Sequence, residues 1–516
     1  MDQNINMGKP RILLLSDDLR MTSGISTMSR EFVMGTLDRF HWVQLGAGIN
    51  HHEAGKFVDV NEDARQKTGI KDAELKIIPY NSYGDIVMLR KILSEMKIDA
   101  ILHFTDPHYW QWLYDSEHEI RQQVPILYYH IWDNLPDPIY NKDYYESCDW
   151  LGCISKLTYG IVNRVGKMEN GFRKPLQDWQ ISYVPHGINP DTFKPLEDKE
   201  LIDVKKGLFG DKEYDFVLFF NSRNIRRKQP SDVIESFKLF CDKLTKEQSD
   251  KCVLVMHTTP IDNNGTDLYA VRDKICPNYD VVFSTNKIES DVLNKLYNVA
   301  DCTINIANNE GFGLGTAESI MAGTPIIVSV TGGLQDQCGF NYTADDYINI
   351  KTLHNKQIHK DTPHGVWAKP IWPSAINING SPLTPYIYDD RVNDEEVADA
   401  INEMYLLGKE KRKENGWGIK KFNSLNPLLN YFEKNKLYQK EYILQQFIIG
   451  SDINCNVFCE HGEVICHTIQ ESPVRYGVNF SPHDTIAFGP DEEVISEVRK
   501  VMRKFNWHGV ANIDIR

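Results

Sequence analysis

Asn309-Glu310-Gly311-Phe312-Gly313-Leu314-Gly315-Thr316-Ala317-Glu318-Ser319-Ile320-Met321-Ala322-Gly323-Thr324-Pro325 is the stretch that decides the fold of this chain. An apolar strand, Cys302 to Ile306, precedes it, and Gly323-Thr324-Pro325 closes the helix that it opens. A glycine-rich turn feeding a helix leaves backbone N–H groups unpaired at the positive end of the helix dipole, which suits a phosphate. Two acids frame the turn, Glu310 within it and Glu318 about two helical turns on. A bare phosphate cradle has no use for acids there. A site that also holds sugar hydroxyls does, because ionised carboxylates accept strong hydrogen bonds from them. The competing reading is an ordinary strand–turn–helix with two solvated acids.

The spacing Glu-x7-Glu, with Gly-Phe-Gly-Leu inside and Ala-Gly-Thr-Pro after, resembles the nucleotide-sugar site of retaining glycosyltransferases of the GT-B fold, family 4 type. Glu318-Ser319-Ile320-Met321-Ala322 departs from that family's more usual Glu-Ala-Met-Ala. Other stretches follow in the same order. Arg11 to Ser16 is a first strand ending in Asp17-Asp18, and Met21-Thr22-Ser23-Gly24-Ile25-Ser26 leads into a helix, with Gly24 either a turn or a ligand loop. His130 and Asp133, in Tyr129-His130-Ile131-Trp132-Asp133-Asn134, resemble the family's His-Asp pair, which implies that His130 touches the donor sugar or orders the acceptor. A histidine satisfied by local backbone is the alternative. Ile181 to Pro195 resembles the interdomain signature, with His186 and Asn189 in place of the common Asn and Asp. After the strand Asp215 to Phe220, Arg223 and Lys228 resemble the family's diphosphate clamp, with Arg226 and Arg227 as local competitors. Fixed cations make sense there, because charge builds on the β-phosphate as the glycosyl bond breaks.

The resemblance implies an α/β chain with two Rossmann-like domains facing across a cleft (GT-B), residues 1–195 and 196–415, plus a further segment, 416–516. It implies transfer of a sugar from a nucleoside diphosphate sugar to an acceptor hydroxyl, with retention. Glu318 would hold the ribose hydroxyls and Glu310 those of the donor sugar. Arg223, Lys228 and the amides of Gly311, Phe312, Gly313 and Leu314 would carry the diphosphate. Two cations stand in for a divalent ion, so no metal and no cofactor are expected, and Asp389-Asp390 reads as a solvated pair before a helix. The acceptor is a glycan, a lipid or a small molecule. A sugar-nucleotide epimerase or hydrolase on the same fold, a non-catalytic sugar-nucleotide binder, and an ATP-dependent ligase driven by the 416–516 segment, if that belongs to a longer chain, stay open.

Further strands are expected at His41–Leu45, Ala100–Phe104, Ile126–Ile131, Cys252–His257 and Val281–Ser284, with helices between them, the pattern of parallel sheets. The span Gln335 to about Pro385 reads as an irregular surface loop, and Asp394 to Asn415 as a charged helix. Beyond it, Glu441 to Arg516 resembles the carboxyl lobe of ATP-grasp ligases, with Gln445 to Ile448 as an adenine hinge and Gly416-Trp417-Gly418 as a remnant phosphate loop. That implies a partial α+β module, without ligase activity as it stands, at which ATP could bind. The abrupt end at a strand suggests a piece of a longer protein; a mere appendage is the alternative.

A formal charge of −15 argues against a protein built to hold nucleic acid. Ten cysteines without a secretory leader point to reduced thiols and a cytoplasmic location. No run of apolar residues is long enough to span a membrane, though peripheral contact with one stays open. Cys455, Cys459, Cys466, His461 and His467 cluster without zinc-site spacing and fit a strand–turn–strand.

Overall fold

The computed structural model describes residues 8–169, 174–340, 362–409, 412, 452–460, 463–472, 487–488, 492–505 and 509–515. The first sheet contains β1 (Arg11–Asp17), β2 (His41–Ala47), β3 (Val58–Asp59), β4 (Leu75–Pro79), β5 (Ala100–Phe104), β6 (Ile126–His130), β7 (Trp150–Cys153) and β8 (Ile181–Tyr183). Their order is β3-β4-β2-β1-β5-β6-β7-β8, parallel throughout except for the short β3. The continuous apolar run Leu13-Leu14-Leu15 explains why β1 sits in the middle. Successive side chains point to opposite faces. Leu13 and Leu15 enter one core with Ile101 and Ile126, and Leu14 enters another with Leu102.

The second sheet contains β9 (Phe216–Asn221), β10 (Cys252–His257), β11 (Asp280–Ser284), β12 (Cys302–Asn305), β13 (Ile326–Ser329) and β14 (Ala368–Ile371), in the parallel order β11-β10-β9-β12-β13-β14. Phe216, Leu218 and Phe220 pack against Phe237 and Phe240 of the helix Pro230–Cys241 and Ile401 of the helix Asp394–Leu406. In both sheets the chain steps outward on one side of the central strand and then returns to the other. The carboxyl ends at that reversal are where open α/β sheets hold ligands. The turn after β9 carries Arg223 to Lys228, and the turn after neighbouring β12 carries Asn309 and Glu310.

Two expectations need correction. The span 335–385 is not simply an irregular loop: β14 extends the second sheet, and β15 (Ala375–Asn379) pairs antiparallel with β16 (Ile387–Arg391). The alternation Ala-Ile-Asn-Ile-Asn before Gly380-Ser381 is a period-two signal that the surrounding prolines mask. Residues 341–361 lie outside the described residues. The helix beginning at Asp394 ends at Leu406, just before Gly408, not at Asn415.

Residues 1–189 with 195–416 form one compact unit, so the first two expected domains fall together; residues 190–194 group with 417–516 in another. The latter contains β17 (Asp452–Glu460), β18 (Glu463–Ser472), β19 (Ala487–Phe488) and β20 (Gly509–Ile515) in the antiparallel order β19-β18-β17-β20. Its helix Glu492–Phe505 buries Val494, Ile495, Val498 and Met502, one face at helical spacing. Cys455, Cys459, Cys466 and His467 fall on the β17–β18 pair. Gly416-Trp417-Gly418, Gln445 to Ile448 and His461 lie outside the described residues. Among the described residues no helix is long and apolar enough to cross a membrane.

Arg412 ties elements of the second sheet together. It donates to Asp301 at 2.7 Å and to the carbonyls of Met404 and Tyr405 at 3.1 Å, and it lies over the Phe216 ring. Both charged side chains are nearly dry, at 3% and 8% exposure. Removing one partner of a buried pair strands the other charge. Arg412→Met is therefore expected to lose about 3 kcal/mol of stability. Urea denaturation checks this, and an unchanged midpoint would contradict it.

Candidate active site

Four charged side chains from the two domains meet where the carboxyl ends of the sheets converge. After β9 the chain makes a short helical turn, Arg226–Lys228, and then holds Gln229 in left-handed backbone at φ 52°. That conformation is uncommon for a residue other than glycine and marks a constrained turn. Lys228 is buried and ion-paired to Glu310. Arg227 Nη1 lies 3.7 Å from Glu310 Oε2 and 3.8 Å from Asp133 Oδ2, and it donates to the Asn309 carbonyl at 2.8 Å. Burial pulls the Lys228 ammonium well below its usual pKa, and Arg227 adds to this while Asp133 opposes it. Burial raises the Asp133 carboxyl, against the pull of Arg227 and Lys228.

The turn after β12 directs its carbonyls into the protein. Thr331 Oγ1 lies 3.1 Å from Asn308 O, the Gly333 amide donates to Glu310 O at 2.7 Å, and Gln337 Nε2 donates to Phe312 O and Gly313 O at 2.6 and 2.9 Å. Gly313 caps the helix Leu314–Met321 at φ 90°, where an added Cβ would lie 2.6 Å from Leu334. Glycine is required there. The amides of Gly311, Phe312, Gly313 and Leu314 find no acceptor among the described residues. Open amides at a helix start beside two cations form a ready site for an anion.

Glu318 lies further along this helix. It is 8% exposed and accepts from Tyr297 Oη at 2.7 Å, and Tyr297 Oη in turn accepts from Asn221 Nδ2 at 2.7 Å. Burial lifts its pKa to about 7, and the Tyr297 bond pulls the other way. The loop after β1 reaches the head of the same helix: a methyl on Gly24 would touch Leu314 Cδ1 at 3.3 Å. Ser23 sets that loop, accepting from Ser26 N and donating to Asp17 Oδ2 at 2.6 Å. The Phe312 ring sits 4.9 Å from that of His186, which burial pushes down to a pKa of about 3.

Two of the residues singled out from sequence stand apart. The Arg223 side chain is 63% exposed and pairs with Asp262 at 3.0 Å, whereas its neighbour Arg227 reaches the charged seam. His130 is fully buried, with Nε2 at 2.8 Å from the Tyr145 hydroxyl and Nδ1 without a partner among the described residues, and burial takes its pKa to about 3. Of the His130–Asp133 pair, the acid is the one at the seam.

Asp389-Asp390 is not a solvated pair before a helix. Both residues lie on β16. Thr331 Oγ1 donates to Asp390 Oδ2 at 2.7 Å, and burial raises Asp390 to about 6. Asn309 Nδ2 donates to Asp389 Oδ1 at 3.1 Å and to the Tyr388 carbonyl at 2.9 Å. The same carbonyl takes Asn134 Nδ2 at 3.1 Å, and Tyr140 Oη donates to Tyr386 O at 2.9 Å. The hairpin thus bridges the domains beside Glu310. Sequence reading also missed Tyr297, whose only signal was its place on a helix, Ser290–Val299, preceding β12. A group with atoms close enough to share one ion, His51, His52 and Glu53, lies elsewhere, with Arg20 Nη1 at 3.3 Å from His51.

Residues 199–353 match the family model for glycosyl transferases group 1. Solved structures give the same fold over most of the chain. Anabaena HepE in complex with UDP and glucose superposes with a TM-score of 0.53 at 12% identity, over 79% of this chain and 92% of that one. Sucrose-phosphate synthase from Thermosynechococcus elongatus gives 0.53 at 13%, over 84% and 100%. The E. coli trehalose-6-phosphate structure bound with UDP-2-fluoro glucose gives 0.50 at 12%, over 82% and 96%. The fold is GT-B, and the residues that match the glycosyl transferase group 1 model hold β9 to β13 of its second sheet. No curated protein matches the chain.

The Glu318 carboxyl titrates near 4.5 when unperturbed and at about 7 in the fold. The native state therefore holds this proton more tightly than the unfolded chain. Its stability falls as pH rises from about 4.5 to about 7 and is level above. Glu318→Gln lacks this slope, so the stability difference between the two proteins shifts by on the order of 3 kcal/mol across that window. Denaturation curves at both ends check it, and parallel pH profiles would contradict it.

Proposed function

We propose that the protein is a retaining, metal-independent glycosyltransferase that moves a sugar from a nucleoside diphosphate sugar to an acceptor hydroxyl. The observation that carries this reading is that Arg227 and Lys228 both lie against Glu310, the residue that opens the run of unpartnered amides from Gly311 to Leu314. The diphosphate would lie on those amides, with Lys228 shared between Glu310 and the β-phosphate. Arg223 joins as a clamp at little cost, because breaking an exposed ion pair such as that with Asp262 loses only about 0–1 kcal/mol. Glu318 takes the ribose hydroxyls in its ionised form, and Glu310 takes hydroxyls of the donor sugar. Gly24, against Leu314, lets the first domain close on the donor.

As the bond from the anomeric carbon to the β-phosphate oxygen breaks, its electron pair stays on phosphate. The acceptor oxygen bonds to that carbon on the same face, and its proton passes to the departing phosphate. The two cations and the amides would stabilise this growing charge, the role a divalent ion would otherwise fill. UDP is the first base to try, since structural neighbours were solved with UDP or UDP sugars. The acceptor is a glycan, lipid or small molecule. The seven buried free thiols among the described residues suit a reducing cytoplasm. ATP at the 416–516 segment is a separate proposal.

The test is a panel of UDP-, GDP- and ADP-sugars without added metal, scored for nucleoside diphosphate release with and without acceptor. One donor is expected to turn over, and Lys228→Ala is expected to cut turnover about 100-fold or more. Comparing Arg223→Ala with Arg227→Ala shows which arginine faces the diphosphate. Release that ignores every acceptor would favour a hydrolase or epimerase. Binding of ATP but of no nucleotide sugar would overturn the reading.

A further inference from the structure

The first domain contains a cavity of about 240 Å³ that the site above does not use. Its floor is the sheet face formed by Leu14, Leu102 and Phe104. Its walls are Ser29 and Phe32 of the helix Gly24–Met34, with Val184, Pro185 and Gly187. Protein interiors pack at the density of organic crystals and leave few voids larger than a water molecule. An apolar cavity of about 150 Å³ stays dry and takes up benzene. This one is larger and lined mostly by apolar side chains, with the exposed residues Phe32, Pro185 and Gly187 at its rim.

Two hydroxyls in the lining, those of Ser29 and Tyr129, break the apolar pattern. Ser29 is 1% exposed, and its hydroxyl has no hydrogen-bond partner among the described residues. Leaving a buried hydroxyl unsatisfied is unfavourable. The Tyr129 hydroxyl, also in the wall, is already engaged by Val184 O at 2.9 Å and His186 Nδ1 at 2.8 Å. Ser29 is therefore the lining group left to fix an occupant's orientation, which is how ligand pockets combine an apolar body with a few placed polar atoms.

We propose that this cavity binds a small apolar ligand, an aromatic ring or short alkyl chain bearing one hydroxyl or carbonyl that pairs with Ser29. The inference concerns binding and stands whether or not a nucleotide sugar is the donor. Benzyl alcohol and toluene, which share a ring and differ by one hydroxyl, are titrated into the full-length chain by calorimetry and ligand-observed NMR. Both are expected to bind saturably. Phe32→Trp, at a residue 45% exposed and so tolerant of change, fills the cavity and weakens both at least tenfold. Ser29→Ala keeps the volume and weakens benzyl alcohol about fivefold, with toluene within twofold of wild type. No saturable uptake by the folded wild type, or affinities that neither variant changes, would overturn the proposal.

Discussion

The pairing of Lys228 with Glu310 is the interaction on which the rest of the site depends. Both side chains are largely out of water, and either charge left alone there would cost several kcal/mol. The turns after β9 and β12 must therefore form together, and the direct pairing of those strands places them side by side. Arg227 carries the same constraint into the first domain through Asp133. The fit between the domains and the geometry of the site rest on one cluster of charges.

The hairpin β15–β16 extends that constraint. Asn309, the residue before Glu310, is held by the Tyr388 carbonyl and by Asp389, while Asn134 reaches the same carbonyl from the other domain. Ile387 and Tyr388 also pack on the core of the first domain. A strap with these contacts fixes where Glu310 sits relative to both sheets. The raised pKa values of Glu318 and Asp390 have a common cause in the dryness of the surroundings, which also strengthens each charge interaction the site makes.

Much of this was legible in the chain itself, and the exceptions have physical causes. The parallel strands showed because buried central strands read as unbroken apolar runs such as Leu13-Leu14-Leu15. The turn at Gly311-Phe312-Gly313 showed because glycine and a capped helix leave a strong local mark. The β15–β16 hairpin hid because its signal spans five residues a side between prolines, and its partners lie more than 200 residues away in the case of Asn134. Arg223 and Arg227 could not be ranked from sequence, since spacing does not say which way a turn points its side chains. Ser29 was invisible for the same reason: an unpartnered hydroxyl exists only once the helix has packed.

The most direct measurement is a crystal structure with a nucleoside diphosphate sugar bound, UDP-glucose first. We predict the diphosphate at about 3 Å from the amides of Gly311 to Leu314 and from Lys228, with the ribose on Glu318. A donor bound elsewhere on the chain, or no donor at saturating concentration for any base, would contradict the central claim.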